Sequence, residues 1–242
     1  MTWSIVARDD SGAFGVAVAS RFFAVGALCP YARAGVGALA TQALVNPGFG
    51  PMGLDLLAQG RDAASVVAAL VGGDDGRDMR QLHLIGASGI PAAYTGGQCV
   101  EWCGHLIEPA FSVAGNMLAG PRVVEDTADA FRRHAHLALA DRLLAAMDAG
   151  EAAGGDKRGK QAAALRIVMT ESYPMLDLRV DDHSDPLVEL RRLLDKSLER
   201  FQPFVACLPL RANPAGIVDR ADIERNIERF QATRNRWTDN GD

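Results

Sequence analysis

The sequence predicts an α+β fold, a four-layer α-β-β-α sandwich of two antiparallel sheets with helices on both outer faces. Three observations carry this. Runs rich in β-formers and runs of helical period come in blocks, in the order strands, two helices, strands, two helices, strands, helix. The β-rich runs pair across short turns, which gives hairpins. Each layer has an apolar face that must be buried against a neighbour, and two sheets with helices outside meet that need.

At 242 residues, 48% hydrophobic and 23% charged, the chain is large enough to bury a substantial core as one domain. The formal charge of -5 comes with no concentrated basic stripe, which argues against nucleic-acid binding. No apolar run approaches the ~20 residues of a spanning helix, and no signal peptide opens the chain, so no membrane partner and a cytoplasmic location are expected. The four cysteines Cys29, Cys99, Cys103 and Cys207 are too few for a disulfide scaffold. Cys99, Cys103 and His105 do not have zinc-knuckle spacing and lack an evident fourth ligand, so no metal and no cofactor is expected.

Taken in order, residues 2–8 and 14–20 flank the turn Asp9-Asp10-Ser11-Gly12 and read as a hairpin. Gly- and Ala-rich apolar segments follow at 25–28 and 36–44, and small residues at this density let backbones approach closely. Thr41 and Gln42 lie in the second of these, and a polar group there must find a partner if buried. Asn46-Pro47-Gly48 is turn chemistry. Residues 51–71 change to helical period, with a glycine stop at Gly60 and Asp62 capping a second helix.

The next hairpin is 80–85 with 90–94, and a third β-run, 111–114, ends at Gly115-Asn116. Gly104-His105 is read as lining the same region, a lone histidine there being more often structural. From 121 to 147 two helices are expected, broken near 134–137. The polar stretch 150–161 looks like a phosphate loop, but no strand precedes it and Lys160 is followed by Gln161, so the Walker pattern fails. Strands at 162–169 and 176–180 come next, then a helix capped by Asp185 with Pro186 at its first position. Residues 1–202 form the main domain in this reading. Residues 203–242 are a C-terminal helical appendage, with Ile223, Ile227 and Phe230 on one side of its helix, read as a docked element or a dimer contact. A homo-oligomer, foremost a dimer, is expected.

The chemistry centres on Thr2. If Met1 is removed, which a small second residue permits, Thr2 carries a hydroxyl nucleophile and a free α-amine on adjacent carbons. The amine, with a pKa of ~7.7–8.0, can take the hydroxyl proton directly or through one water. With Met1 attached that nitrogen is an amide and cannot act as a base. A Met-Thr start is common; what distinguishes this one is that Trp3, Ile5 and Val6 follow at once and pin Thr2 to the end of a buried strand. The hairpin returns Ser20 and Arg21 to the same place. A guanidinium there would disfavour the protonated amine; equally, Arg21 reads as a solvated strand-end charge.

The sequence resembles the uncharacterised Ntn-hydrolase-like family known as domain of unknown function 1028. The resemblance rests on Thr2-Trp3-Ser4-Ile5-Val6-Ala7, Gly15-Val16-Ala17-Val18-Ala19-Ser20-Arg21, Ala40-Thr41-Gln42-Ala43, Asn46-Pro47, Gly115-Asn116-Met117-Leu118, the stretch 154–161 and Leu178-Arg179-Val180-Asp181-Asp182-His183. These matches, in order, cover about the first 200 residues. The resemblance implies the Ntn-hydrolase-like form of the sandwich and an N-terminal-nucleophile amidohydrolase acting on a small molecule or peptide, without naming the substrate.

In that frame Thr2 attacks an amide or ester carbonyl, and backbone N–H groups helped by Asn116 hold the oxyanion. Ser20, Arg21, Thr41 and Gln42 position the reacting groups. Thr41, Gln42, Asn46, His105, Asp156 and Gln161 are the candidate substrate-binding residues, with Asp156 and Gln161 read, together with Arg158, Asp181 and Asp182, as a buried polar network. The alternative is a non-catalytic ligand-binding or scaffold protein on the same fold.

Overall fold

The computed structural model describes residues 2–238, with side chains described to residue 233. Met1, whose removal frees the Thr2 amine, lies outside the described residues. The chain divides into two compact units, Met1–Leu190 and Arg191–Asp242.

The first unit is the expected α-β-β-α sandwich. One sheet has six strands: β1 (Thr2–Arg8), β2 (Phe14–Ser20), β7 (Gly104–Glu108), β8 (Phe111–Asn116), β9 (Ala162–Val168) and β10 (Leu176–Val180), in the spatial order β10-β9-β2-β1-β8-β7. The other has four, β3 (Pro30–Arg33), β4 (Gly37–Ala43), β5 (Arg80–Gly86) and β6 (Pro91–Thr95), in sequence order. Every pairing is antiparallel. Helices α1 (Phe49–Ala58) and α2 (Ala63–Gly72) cover the smaller sheet. Helices α3 (Arg122–Arg133) and α4 (Leu139–Ala152) cover the larger.

Two strands depart from the sequence reading. Residues 25–28 form a short 3-10 turn at Val25–Ala27, and the strand begins instead at Pro30, where an edge position tolerates the missing N–H. Residues 104–108, read only as lining the region, are a full edge strand beside β8. The Asp62 cap is observed, its carboxylate accepting from the Ser65 amide at 2.9 Å.

Strand alternation divides the larger sheet into two faces. Trp3, Ile5 and Ala7 point outward beneath the helices, and Gly15 gives α4 room, since a Cβ there would meet Leu139 and Leu143. Thr2, Ser4 and Val6 point inward between the sheets. The inter-sheet layer is itself split. At one end Val6, Phe14, Val16 and Val18 pack against Ala38, Ala40 and Ile85 as an apolar core. At the other, polar side chains of both sheets meet, and this is where β1 starts.

In the second unit, α6 (Phe201–Val205) and α7 (Arg220–Thr238) are tied by Arg200, which donates to Glu224 Oε2 at 2.9 Å, and Ile227 is buried. Helix α5 (Pro186–Glu199) begins in the first unit and ends in the second. No helix among the described residues is long and apolar enough to cross a membrane.

Candidate active site

Thr2 is the first residue of a central strand, clasped on both sides. It pairs with Asn116 of β8, and on the other flank the register Trp3 to Ala19 brings Ser20 alongside. The Thr2 hydroxyl donates to Ser20 Oγ at 3.2 Å, and only 6% of Thr2 is exposed. Its side chain forms one wall of a pocket of about 60 Å³, completed by Phe22, Val25, Leu28, Cys29, Thr41, Gln42, Ala43 and Val45. Ala43 lies in the left-handed region (φ 67°), a conformation that costs a residue with a Cβ about 1–2 kcal/mol.

Behind the pocket runs a buried hydrogen-bond network spanning both sheets. Gln42 Oε1 accepts from Ser4 Oγ at 2.7 Å, and Gln42 Nε2 donates to Gln81 Oε1 at 2.8 Å. Asn116 Nδ2 also donates to Gln81 Oε1, at 3.0 Å, and lies 3.4 Å from the Thr2 carbonyl. The Gln81 amide donates to the Gly115 carbonyl at 2.8 Å and to Thr95 Oγ1 at 2.9 Å, within reach of the Gly104 carbonyl at 3.1 Å. His83 bridges Ser4 at 2.8 Å and Ser112 at 2.9 Å. Burial, reinforced by the charge of nearby His105, pushes the His83 pKa down to about 3, so it is neutral at physiological pH. With both ring nitrogens engaged, it is not a free base.

Of the ten residues singled out in the sequence, seven fall into three places. Thr2, Thr41 and Gln42 line the pocket, with Ser20 against Thr2. Asn116 is buried behind it, its amide directed to the Thr2 carbonyl and Gln81. Arg21 and Asp156 form a clamp at the end of β2: Asp156 accepts from the backbone N–H groups of Arg21 and Arg158, each at 2.8 Å, while Arg21 Nη1 donates to the Arg158 carbonyl at 2.8 Å. Loop 154–161 is thereby fixed beside the hairpin.

The other three lie away from the pocket lining. Asn46 closes a turn through Gly48 N at 3.1 Å, although its carbonyl accepts from Thr41 Oγ1 at 3.2 Å. His105 is exposed and bonds Thr95 at 2.9 Å. Gln161 donates to Asp182 at 3.1 Å.

The sequence reading missed Ser4, Gln81, His83 and Ser112. The signal was available: each interrupts an apolar strand at alternate positions, as Gln42 does. It also missed Cys29, which lines the pocket as a thiol that burial pushes up to about 12, leaving negligible thiolate at neutral pH. Cys99 and Cys103 are each engaged with backbone carbonyls, and burial raises both thiols.

Among solved structures, the chain is similar to protein SPO2555 from Silicibacter pomeroyi, described as a DUF1028 protein. The identity is 30% and the TM-score 0.83, over 90% of this chain and 96% of that one. A distant likeness is Anbu (ancestral beta-subunit) from Yersinia bercovieri, at 14% identity and TM-score 0.38, over 81% of this chain and 94% of that one. Nothing among curated proteins matches. The model of the Family of unknown function (DUF1028) matches residues 2–190, which is the sandwich unit, and the chain belongs to that family.

Proposed function

We propose that the protein is an N-terminal-nucleophile hydrolase that cleaves an amide or ester bond, with Thr2 as nucleophile after removal of Met1. One observation carries the reading. The Thr2 hydroxyl faces a pocket whose lining holds no histidine, carboxylate or lysine, so no side chain there can take its proton. The α-amine of Thr2 itself, two bonds from Cβ, is the base the geometry leaves.

The amine, neutral at the start, accepts the Oγ1 proton as Oγ1 forms a bond to the carbonyl carbon. Collapse of the tetrahedral adduct breaks the bond to the leaving nitrogen or oxygen, which takes the proton back from the ammonium. Water then attacks the acyl-threonine, the amine again serving as base, and the carboxylic acid is released. The Ser20 oxygen holds the Thr2 hydroxyl in one rotamer. Both amide hydrogens of Asn116 are directed elsewhere, to the Thr2 carbonyl and to Gln81, so Asn116 fixes the start of β1 and the oxyanion falls to backbone N–H groups.

Intact mass and active-site labelling test this together. Protein trimmed to Thr2 should form a one-to-one adduct with a β-lactone at Thr2. Thr2→Ala and protein retaining Met1 should form none. Labelling of the Met1-retaining form equal to that of the trimmed form would exclude the amine as base.

A further inference from the structure

We propose that the group seated beside Thr2 is a short, uncharged aliphatic acyl chain, so that the enzyme removes acyl groups of roughly two to four carbons from an amine or alcohol. This rests on the hydrolase reading and names its substrate class.

The lining decides it. Phe22, Val25, Leu28, Ala43 and Val45 supply apolar wall, and no charged side chain faces the space. The polar lining groups are already committed within the protein. Gln42 uses its oxygen on Ser4 and its amide on Gln81, Thr41 Oγ1 donates to the Asn46 carbonyl, and the Cys29 thiol is directed at Gln42 Oε1 at 3.7 Å. A carboxylate on the acyl chain, which can only accept, would lose its water there and find the lining donors already used, while methylenes would lose nothing.

Size sets the length. At roughly 10–15 Å³ per water-sized group, a pocket of about 60 Å³ holds about four to six heavy atoms. Val25 and Cys29 are buried, at 4% and 2% exposure, and close the inner end. Phe22 and Leu28, at 51% and 36%, stand at the outer rim, where a longer chain would have to leave.

The experiment is a panel of aminomethylcoumarin amides and 4-nitrophenyl esters, acetyl, butyryl, octanoyl and succinyl, with the trimmed protein and Thr2→Ala as control. Expected is Thr2-dependent turnover with butyryl or acetyl at least tenfold above octanoyl and a hundredfold above succinyl in kcat/KM. The surface change Leu28→Ala should raise octanoyl relative to butyryl severalfold. Thr2-dependent turnover that favours succinyl, or is indifferent to chain length in both proteins, would overturn the acyl assignment and leave the hydrolase reading standing.

Absence of Thr2-dependent turnover on every substrate would instead count against the hydrolase reading. Saturation-transfer NMR with butyramide, octanamide and succinamate then decides the pocket's chemistry on its own. Butyramide binding that Leu28→Trp removes supports it, and succinamate binding as well as butyramide overturns it.

Discussion

The Thr2 hydroxyl donates to the Ser20 hydroxyl oxygen at 3.2 Å across the β1–β2 pair. Both side chains sit at the ends of their strands on the same inward face, so the turn at residues 9–12 determines, seven residues away, where the candidate nucleophile points. Ser20→Ala should leave the fold intact, because it removes one hydroxyl from a site where Thr2 itself stays paired in the sheet. The loss of one orienting hydrogen bond, about 1–2 kcal/mol, corresponds to a 5- to 30-fold fall in kcat with little change in KM. Steady-state kinetics on a Thr2-dependent substrate would check it, and an equal fall in kcat and rise in KM would point to a collapsed pocket instead.

The amine mechanism has a pH signature. Turnover needs the neutral amine, so kcat/KM should rise with pH to a plateau, with its midpoint near or below the ~7.7–8.0 of a free α-amine. A falling limb at acid pH alone, with midpoint near 4, would assign the base to a carboxylate and contradict the proposal.

His83 makes folding stability sensitive to acid. Its pKa is depressed from 6.5 to about 3 in the folded protein, so the unfolded chain binds a proton that the folded one excludes. Stability is therefore full above pH 6.5 and falls by up to about 1.4 kcal/mol per pH unit as pH drops from there toward 3. Urea titrations at pH 7, 6 and 5 should show the decline. His83→Gln, which keeps polar atoms opposite Ser4 and Ser112, should start less stable at pH 7 and lose less on acidification.

Gly150 determines how closely α4 lies on β1. A Cβ at this position would collide with Thr127 Oγ1 and come within 2.8 Å of Trp3 Nε1, the residue next to Thr2. Gly150→Ala should therefore cost about 1–3 kcal/mol despite its better helix propensity, and should depress turnover through displacement of Trp3. Thermal denaturation of Gly150→Ala against Gly150→Ala with Thr127→Ala checks the cause. Partial recovery in the double variant is expected, since the nearer obstacle is gone.

Much of the fold was legible in the sequence because it depends on local periodicity. The β1–β2 hairpin, the two helix pairs and the Asp62 cap follow from alternation, helical spacing and turn residues, each of which acts over a few positions. The edge strand 104–108 was not legible. Its burial is half-hearted and its strand character comes from pairing with β8, a long-range contact that periodicity does not encode.

The candidate site divides the same way. Thr2 and Ser20 could be placed together from the hairpin register, and Thr41 and Gln42 stood out as polar residues in an apolar run. What the sequence by itself determined was thus the chemistry available at the start of the chain and the sheet that holds it. Only the tertiary structure decided that Gln42, Gln81 and Asn116 converge from three strands into one buried amide cluster, that Asn46, His105 and Gln161 stand away from the pocket lining, and that the pocket is walled by Phe22, Val25 and Leu28. The reason is physical. Sheet-on-sheet packing joins residues 29 to 79 positions apart, from His83–Ser112 to Ser4–His83, and which of them meet is fixed by the facing of two separately formed sheets, not by the pattern within either one.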